Sequence, residues 1–334
     1  MKKLISIMMA LTLLAGVFAG CGTAGNSGDK LSIVTTIFPE YDWVNQILGE
    51  QAENAEVTLL LDNGVDLHSY QPTADDIVTI AACDMFIYVG GHSDEWVDEV
   101  LAQAKNEDMV IINLFDVLGD AVKEEEVVDG MEHEHEDENH EHEGHEHDEE
   151  EHEHIHEDDE HVWLSLKNAK IICEAICESL CALDPDNAQT YTANTESYCQ
   201  QLSGLDAQYK SAVDAASVKT LLFGDRFPFR YLVDDYGIEY YAAFSGCSAE
   251  SEASFETIAF LAGKVDELGL SSVITLKGSD GSIAKTIVNT SSAKNAGILM
   301  LDSMQTTTAQ DANSGATYLA IMESNLQVLK KALK

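Results

Sequence analysis

The stretch "LSIVTTIFPEYDWVNQILGEQAENAEVTLLL", residues 31–61, decides the fold. "LSIVTTI" is apolar and β-branched and reads as a strand. "PEYDWVNQILG" reads as a helix, with Pro39 in the first turn, where a missing N–H costs nothing, and Gly49 at its end. "AEVTLLL" is the next strand. The same alternation continues outward. "TADDIVTIAAC" is a helix with Thr73 as N-cap and Asp76 three residues on, a capping-box variant. "DMFIYV" is a strand, "SDEWVDEVLAQAK" a helix capped by Ser93, and "MVIIN" a strand. The order βαβαβαβ across 31–122 predicts a largely parallel sheet covered by helices.

Beyond it, residues 123–160 have no apolar periodicity and read as a solvated loop. "LSLKNAKIICEAICESLCALDP" and "DNAQTYTANTESYCQQLSGLDAQYKSAVDAA" then read as helix, broken at Asp184–Pro185, and make 161–215 a linking segment. A second alternation fills 216–334, from "KTLLFGD" through "EYYAAF", "SSVITLK" and "GILMLD" to a closing helix. The fold class expected is α/β, with two parallel-sheet lobes bridged by a long helix and a cleft between them.

The chain has 334 residues and a formal charge of −42, and 45% of it is apolar. That acidity excludes nucleic acid as a partner, because counterion displacement needs basic patches. It suits cations. Residues 123–160 hold 21 of the 60 acidic side chains, and ten of the 12 histidines lie between His133 and His161. The N-terminus reads as an export signal. Lys2 and Lys3 precede the apolar "LISIMMALTLLAGVFA", and "VFAGC" then ends at Cys21. This is the bacterial lipoprotein pattern, with 1–20 removed, Cys21 acylated and 21–30 a Gly/Ser/Asn tether. The expected location is therefore outside the cell membrane, held by lipid. Cys83, Cys173, Cys177, Cys181, Cys199 and Cys247 form no C-x-x-C pair, which argues against a zinc ribbon or a thioredoxin-type motif. Cys173, Cys177 and Cys181, four residues apart on a helical pattern, read as small buried apolar side chains.

In α/β sheets ligands sit beyond the carboxyl ends of strands. Those loops carry His68, Asp225 with Arg226, and Asp302, while His161 precedes the linking helices. Two imidazoles and two carboxylates converging from both lobes suit a divalent transition metal. Cys247 and His92 also follow strands. A tucked thiol and a surface residue are their plainer readings. H-E-x-x-H and G-x-S-x-G are absent, so a zinc hydrolase has no support.

"DNGVDLHSYQPTADDI", followed much later by "DEHVWLSLKNA", resembles the metal-specific solute-binding proteins of ABC importers, the zinc and manganese type. The resemblance covers essentially the whole mature chain. It implies His68 as first ligand, His161 as second and Asp302 in "MLDSM" as a carboxylate ligand. The family's third ligand falls on Arg226, which stays protonated and cannot ligate. Either Asp225, one residue earlier, takes that role after a local shift, or Arg226 pairs with a carboxylate ligand. The expected set is His68, His161, Asp225 and Asp302. Two carboxylates suit manganese by hardness, but a His-rich insert suits zinc, and zinc is the expected ion with manganese the alternative. His133, His135, His140, His142, His145, His147, His152, His154 and His156 form an auxiliary, weaker metal loop, since ordering a flexible chain costs roughly 1–2 kcal/mol per residue. The implied function is capture of zinc by a monomer, without catalysis, for an ABC permease and its ATPase. Manganese or iron import, and a surface zinc buffer or adhesin, are the alternatives.

Overall fold

The computed structural model describes residues 30–131, 157–248 and 252–334. The export signal, Cys21 and His133 to His156 lie outside the described residues. Contacts set Met1–Leu31 apart from Ser32–Lys334. Of the first unit only Lys30 and Leu31 are described, and Leu31 opens strand β1.

The first lobe runs β1 (Leu31–Thr35), α1 (Phe38–Leu48), β2 (Ala55–Leu59), α2 (Ala74–Ala82), β3 (Met85–Tyr88), α3 (Trp96–Leu101), β4 (Val110–Asn113) and α4 (Leu114–Leu118). Its sheet has the order β2-β1-β3-β4, and the β1–β3 and β3–β4 pairs are parallel. Helix α1 begins where expected, because Glu40 in its first turn reaches back to accept from the N–H of the capping residue Ile37 and from Thr36 N–H and hydroxyl. It ends at Gly49, whose φ of 56° suits a residue without Cβ. Thr73 and Asp76 form the expected capping box on α2. Helix α3 is shorter than the sequence suggests. Ser93 does not cap it but lies on a separate 3₁₀ turn, His92–Asp94, and its hydroxyl is used elsewhere.

The linking stretch divides into α5 (Leu166–Leu183) and α6 (Ala188–Asp214, 27 residues) at Asp184–Pro185. The Asp184 side chain accepts from Asn187 and Tyr191 and fixes the turn. Helix α6 is the bridge. At one end Asn194 donates to the Ile47 carbonyl of α1. Further along, Tyr209 donates to the Met322 carbonyl of the closing helix.

The second lobe runs β5 (Thr220–Phe227), α7 (Arg230–Tyr236), β6 (Glu239–Ser245), α8 (Phe255–Leu268), β7 (Ser272–Leu276), α9 (Ser282–Thr290), β8 (Gly297–Leu301), α10 (Ala309–Asn313) and α11 (Tyr318–Ala332). Its all-parallel sheet has the order β6-β5-β7-β8. Leu222, Phe244, Leu261, Val273 and Ile287 fill the core between sheet and helices. Two such sheets of parallel strands joined by a long helix match the expected fold class.

The loop expected over 123–160 has ordered ends. Glu125 N–H donates to the Glu157 carbonyl and Asp159 N–H to that of Lys123, so the two flanks pair. Tyr231 donates to the Asp159 carbonyl and accepts from Lys123 N–H, which seats this paired base on the second lobe. Cys83, Cys173, Cys177, Cys181, Cys199 and Cys247 are free thiols, and Cys173 and Cys177 are buried as small apolar residues. No helix among the described residues is long and apolar enough to cross a membrane.

Candidate metal centre

His68 lies on a 3₁₀ turn, Leu67–Ser69, beyond the carboxyl end of β2, and the Asp66 side chain caps that turn by accepting from His68 N–H at 3.1 Å. The ring is oriented from behind. Its Nδ1 lies 3.1 Å from Glu160 Oε2 and 3.0 Å from Ser93 Oγ. Glu160 is itself pinned, because Ser93 donates its N–H to Oε1 and its hydroxyl to Oε2. Gly91 permits this. A Cβ there would stand 2.7 Å from Glu160 Oε1, and φ is 86°. Burial disfavours the Glu160 charge, but the bonds from His68 and Ser93 outweigh it and leave its pKa below the ordinary value.

His161 is wholly buried, just ahead of the Val162–Leu164 turn. Asp159 Oδ1 takes both its backbone N–H at 2.9 Å and its ring Nδ1 at 3.0 Å. A carboxylate only accepts, so Nδ1 carries the hydrogen and the neutral ring keeps its lone pair at Nε2. The ring lies between Trp163, 5.2 Å away between centroids, and the backbone of Gly246, where a Cβ would come within 3.1 Å of His161 Cε1. Burial opposes charge on His161, yet Asp159, Glu160 and Asp66 outweigh it and raise its pKa. Protons therefore compete with metal for Nε2.

The two oriented rings point their Nε2 atoms at each other, 3.2 Å apart. Two imidazole nitrogens on a tetrahedral zinc, each at about 2.0–2.1 Å, stand roughly 3.3–3.4 Å apart. The pair is thus spaced for one ion. A carboxylate behind each ring is the usual support for such ligands. A third candidate donor is Cys247, just past β6, whose Sγ lies within 4.8 Å of the imidazole nitrogens. Its N–H is tied to Glu125 Oε1 at 2.9 Å, at the paired base of the loop. Burial, with the Glu125, Asp159 and Glu160 charges, pushes the thiol pKa far up, so metal has to displace its proton. Among the described residues, His68, His161 and Cys247 are the one group of His, Cys, Asp and Glu gathered closely enough to hold a metal.

The structure brings His68 and His161 together and places Asp225 and Asp302 elsewhere. Asp225 Oδ2 accepts from Thr275 Oγ1 at 2.7 Å and Leu276 N–H at 3.1 Å, fastening β5 to β7. Asp302 pairs with Lys277 Nζ at 2.8 Å and accepts from Met304 N–H. Both carboxylates are engaged by donors of their own lobe. Arg226 reaches across to Asp66 at 2.8 Å. That pair and His68 hold Asp66 ionised against burial. His92 is exposed, 2.8 Å from Glu95.

Ser93, Asp159, Glu160 and Gln305, which sequence reasoning did not single out as site residues, surround the two imidazoles, and Cys247, read there as a tucked thiol, lies beside them. Ser93 carries a helix-cap signal, and Asp159 and Glu160 are the last letters of an acidic run in which no single carboxylate stands out. Gln305 is buried, with Nε2 3.2 Å from His161 Nε2 and 3.3 Å from Asp66 Oδ1, while its Oε1 accepts from Ser303. A cavity of about 490 Å³, lined by His68, Ser93, Glu157, Glu160 and Cys247, opens beside the centre where the His-rich segment rejoins the fold.

The family model for the zinc-uptake complex component A, periplasmic (ZnuA), matches residues 33–332. The chain belongs to this family. Over 334 residues it is 31% identical to the zinc-binding lipoprotein AdcA of Streptococcus pneumoniae, covering 99% of this chain and 61% of that protein. The chain thus spans about three-fifths of the curated relatives it matches first. It is 29% identical to the high-affinity zinc uptake system protein ZnuA of Bacillus subtilis, covering 98% of this chain and 96% of that one. The crystal structure of the Zn(II)-bound ZnuA-like domain of S. pneumoniae AdcA superposes with a TM-score of 0.68 at 27% identity, over 91% of this chain and 99% of that one. Family membership accounts for the two-lobe fold.

Proposed function

We propose that this protein captures zinc outside the cell membrane, held there by lipid on Cys21, and passes it to an ABC permease whose ATPase supplies the energy. The reaction is binding and release, with no bond-making step. The observation that carries this reading is the pair of carboxylate-oriented imidazoles, Nε2 to Nε2 at 3.2 Å, closed by a thiol. The thiol decides between metals. A thiolate is a soft donor that suits zinc, whereas manganese prefers carboxylate, carbonyl and water. The names of the relatives favour the same ion: AdcA is a zinc-binding lipoprotein and the B. subtilis protein belongs to a zinc uptake system. The principal site is His68, His161 and Cys247. Asp225 and Asp302 serve as structural carboxylates of the second lobe, and Asp159 and Glu160 as orienting groups.

The segment from His133 to His156 is an auxiliary store that raises local zinc concentration near the cavity. Its flanks are paired without it, through Lys123–Asp159 and Glu125–Glu157, so removing 132–156 leaves the centre standing. The test is competitive titration with zinc and manganese of the wild type, the 132–156 deletion, His68→Ala and Cys247→Ala. One tight zinc site remains in the deletion with fewer weak ones. It is lost in His68→Ala, and in Cys247→Ala the preference for zinc over manganese narrows, because the soft donor that favours zinc is gone. Tight zinc binding unchanged in His68→Ala would sink the assignment.

A further inference from the structure

The three donors leave one corner of a tetrahedron open, and the carboxylates expected to fill it are held elsewhere. One side chain does end at the right place. The amide of Gln305 lies 3.2 Å from His161 Nε2, the same separation as the two imidazole nitrogens and close to a tetrahedral edge. Gln305 is set there by a strained turn. Met304 is the one non-glycine residue with positive φ among the described residues, at 66°, and Asp302 closes the turn by accepting its N–H. Trp163 Nε1 donates to the Ser303 carbonyl at 2.9 Å and anchors the turn beside His161. As it stands, the amide presents nitrogen to the centre. One N–H satisfies the His161 lone pair, the other faces Asp66 Oδ1, and the oxygen accepts from Ser303 Oγ.

We propose that Gln305 is the fourth zinc ligand and that its amide turns over when the ion arrives. Resting on the zinc reading above, the flip places Oε1 on the ion and Nε2 toward Ser303. A hydroxyl both donates and accepts, so Ser303 can serve either orientation by rotating its hydrogen. Without a cation the flipped oxygen would face the Asp66 carboxylate at about the present 3.3 Å and the His161 lone pair, three acceptors together. With a cation between them the same arrangement is favourable. The ion therefore selects the orientation, and the nitrogen-inward form keeps the empty centre hydrogen-bonded.

The test uses the full chain loaded with cobalt(II), whose thiolate-to-metal charge-transfer band reports Cys247 and whose visible spectrum reports coordination. Azide probes for an open position. In the wild type the charge-transfer band is present and azide leaves the visible spectrum unchanged. Gln305→Ala keeps the band, gains an azide-induced spectral shift and weakens zinc binding about tenfold or more. Gln305→Glu keeps an oxygen donor and stays closed to azide. X-ray absorption of the zinc-loaded wild type, which needs no variant, shows one sulfur and three nitrogen-or-oxygen scatterers, a first shell that azide leaves unchanged. A wild type that takes up azide, or a Gln305→Ala protein that stays closed with unchanged zinc affinity, overturns the Gln305 assignment alone. A wild type without the charge-transfer band overturns the Cys247 reading and the assignment with it.

Discussion

Gly246→Ala tests the packing that holds the His161 ring beside Cys247. Gly246 joins the end of β6 to Cys247 with no positive φ, so alanine meets no backbone penalty and the effect is steric alone. The added Cβ would lie 2.8 Å from the Phe227 carbonyl oxygen, 3.1 Å from His161 Cε1 and 3.2 Å from His161 Nδ1. Non-bonded carbons settle at about 3.5–4.0 Å, so the ring has to retreat by roughly 0.4 Å or the strand has to lift. Retreat is blocked by Trp163, and Asp159 holds Nδ1 at 3.0 Å. Zinc sites tolerate ligand displacements of about 0.2 Å, so the shift exceeds what the ion absorbs. Loss of ligand orientation typically costs 10–100-fold in affinity, or about 1.4–2.7 kcal/mol. The overpacked strand loses about 1–3 kcal/mol of stability as well. Competition against a chromophoric chelator measures the first and thermal unfolding of the zinc-free protein the second. A Gly246→Ala protein with wild-type zinc affinity and wild-type Tm would refute the packing argument, because it would mean that the β6 end does not press on His161.

Other expectations follow from the same contacts. Gly204, inside α6 with nothing near its missing Cβ, is the control: Gly204→Ala raises stability by up to about 1 kcal/mol in chemical denaturation and leaves zinc affinity unchanged. Burial, against the Gly90 N–H bond and with Glu160 adding, pushes the Asp94 carboxyl to about 7. A folded pKa above the unfolded one makes this group most stabilising below about pH 4, with the benefit lost as pH rises toward 7. Asp94→Asn removes that slope and keeps an acceptor for Gly90, so its stability advantage over wild type, followed by chemical denaturation, grows from pH 5 to pH 8 toward about 4 kcal/mol at full development. A pH-independent difference contradicts it. Zinc at a hundredfold excess over Kd stabilises the fold by about 2.7 kcal/mol. A chelator reverses the Tm gain, and His68→Ala abolishes it.

The two alternations of strand and helix were legible because each rests on local chemistry: Pro39 and Gly49 around α1, Thr73 with Asp76 at α2, and Asp184–Pro185 between the bridging helices. His68 and His161 were legible because a strand end and the edge of a biased segment mark them. The remaining donors were not, because position along the chain does not say which way a carboxylate turns. The sequence puts Asp225 and Asp302 after strands, but β5 runs on through Asp225 to Phe227, and Thr275 and Leu276 of β7 with the adjoining Lys277 claim the two carboxylates. Cys247 reads as one more small thiol until the paired flanks of the loop, through Glu125, fix its backbone. Asp159 and Glu160 are hidden by composition. Only the Lys123–Asp159 pairing, a contact across the whole His-rich segment, separates them from the solvated acids before them.

Arg226 and Cys247 make sense together. Where the resemblance called for a ligand, the chain has a fixed positive charge, and a cation nearby disfavours a second cation. Two features offset it. Asp66 pairs with the guanidinium at 2.8 Å and leans its other oxygen toward the His68 ring, with Oδ1 3.9 Å from Nε2. Cys247, once deprotonated by the metal, adds a negative charge that a third imidazole would not supply. With Gln305, the candidate donors come from four separate segments: the β2 end in the first lobe, the stretch of chain entering the bridging helices, and the β6 and β8 ends in the second lobe. Because Asp66 and Arg226 belong to different lobes, their ion pair ties the lobes directly beside the two imidazoles.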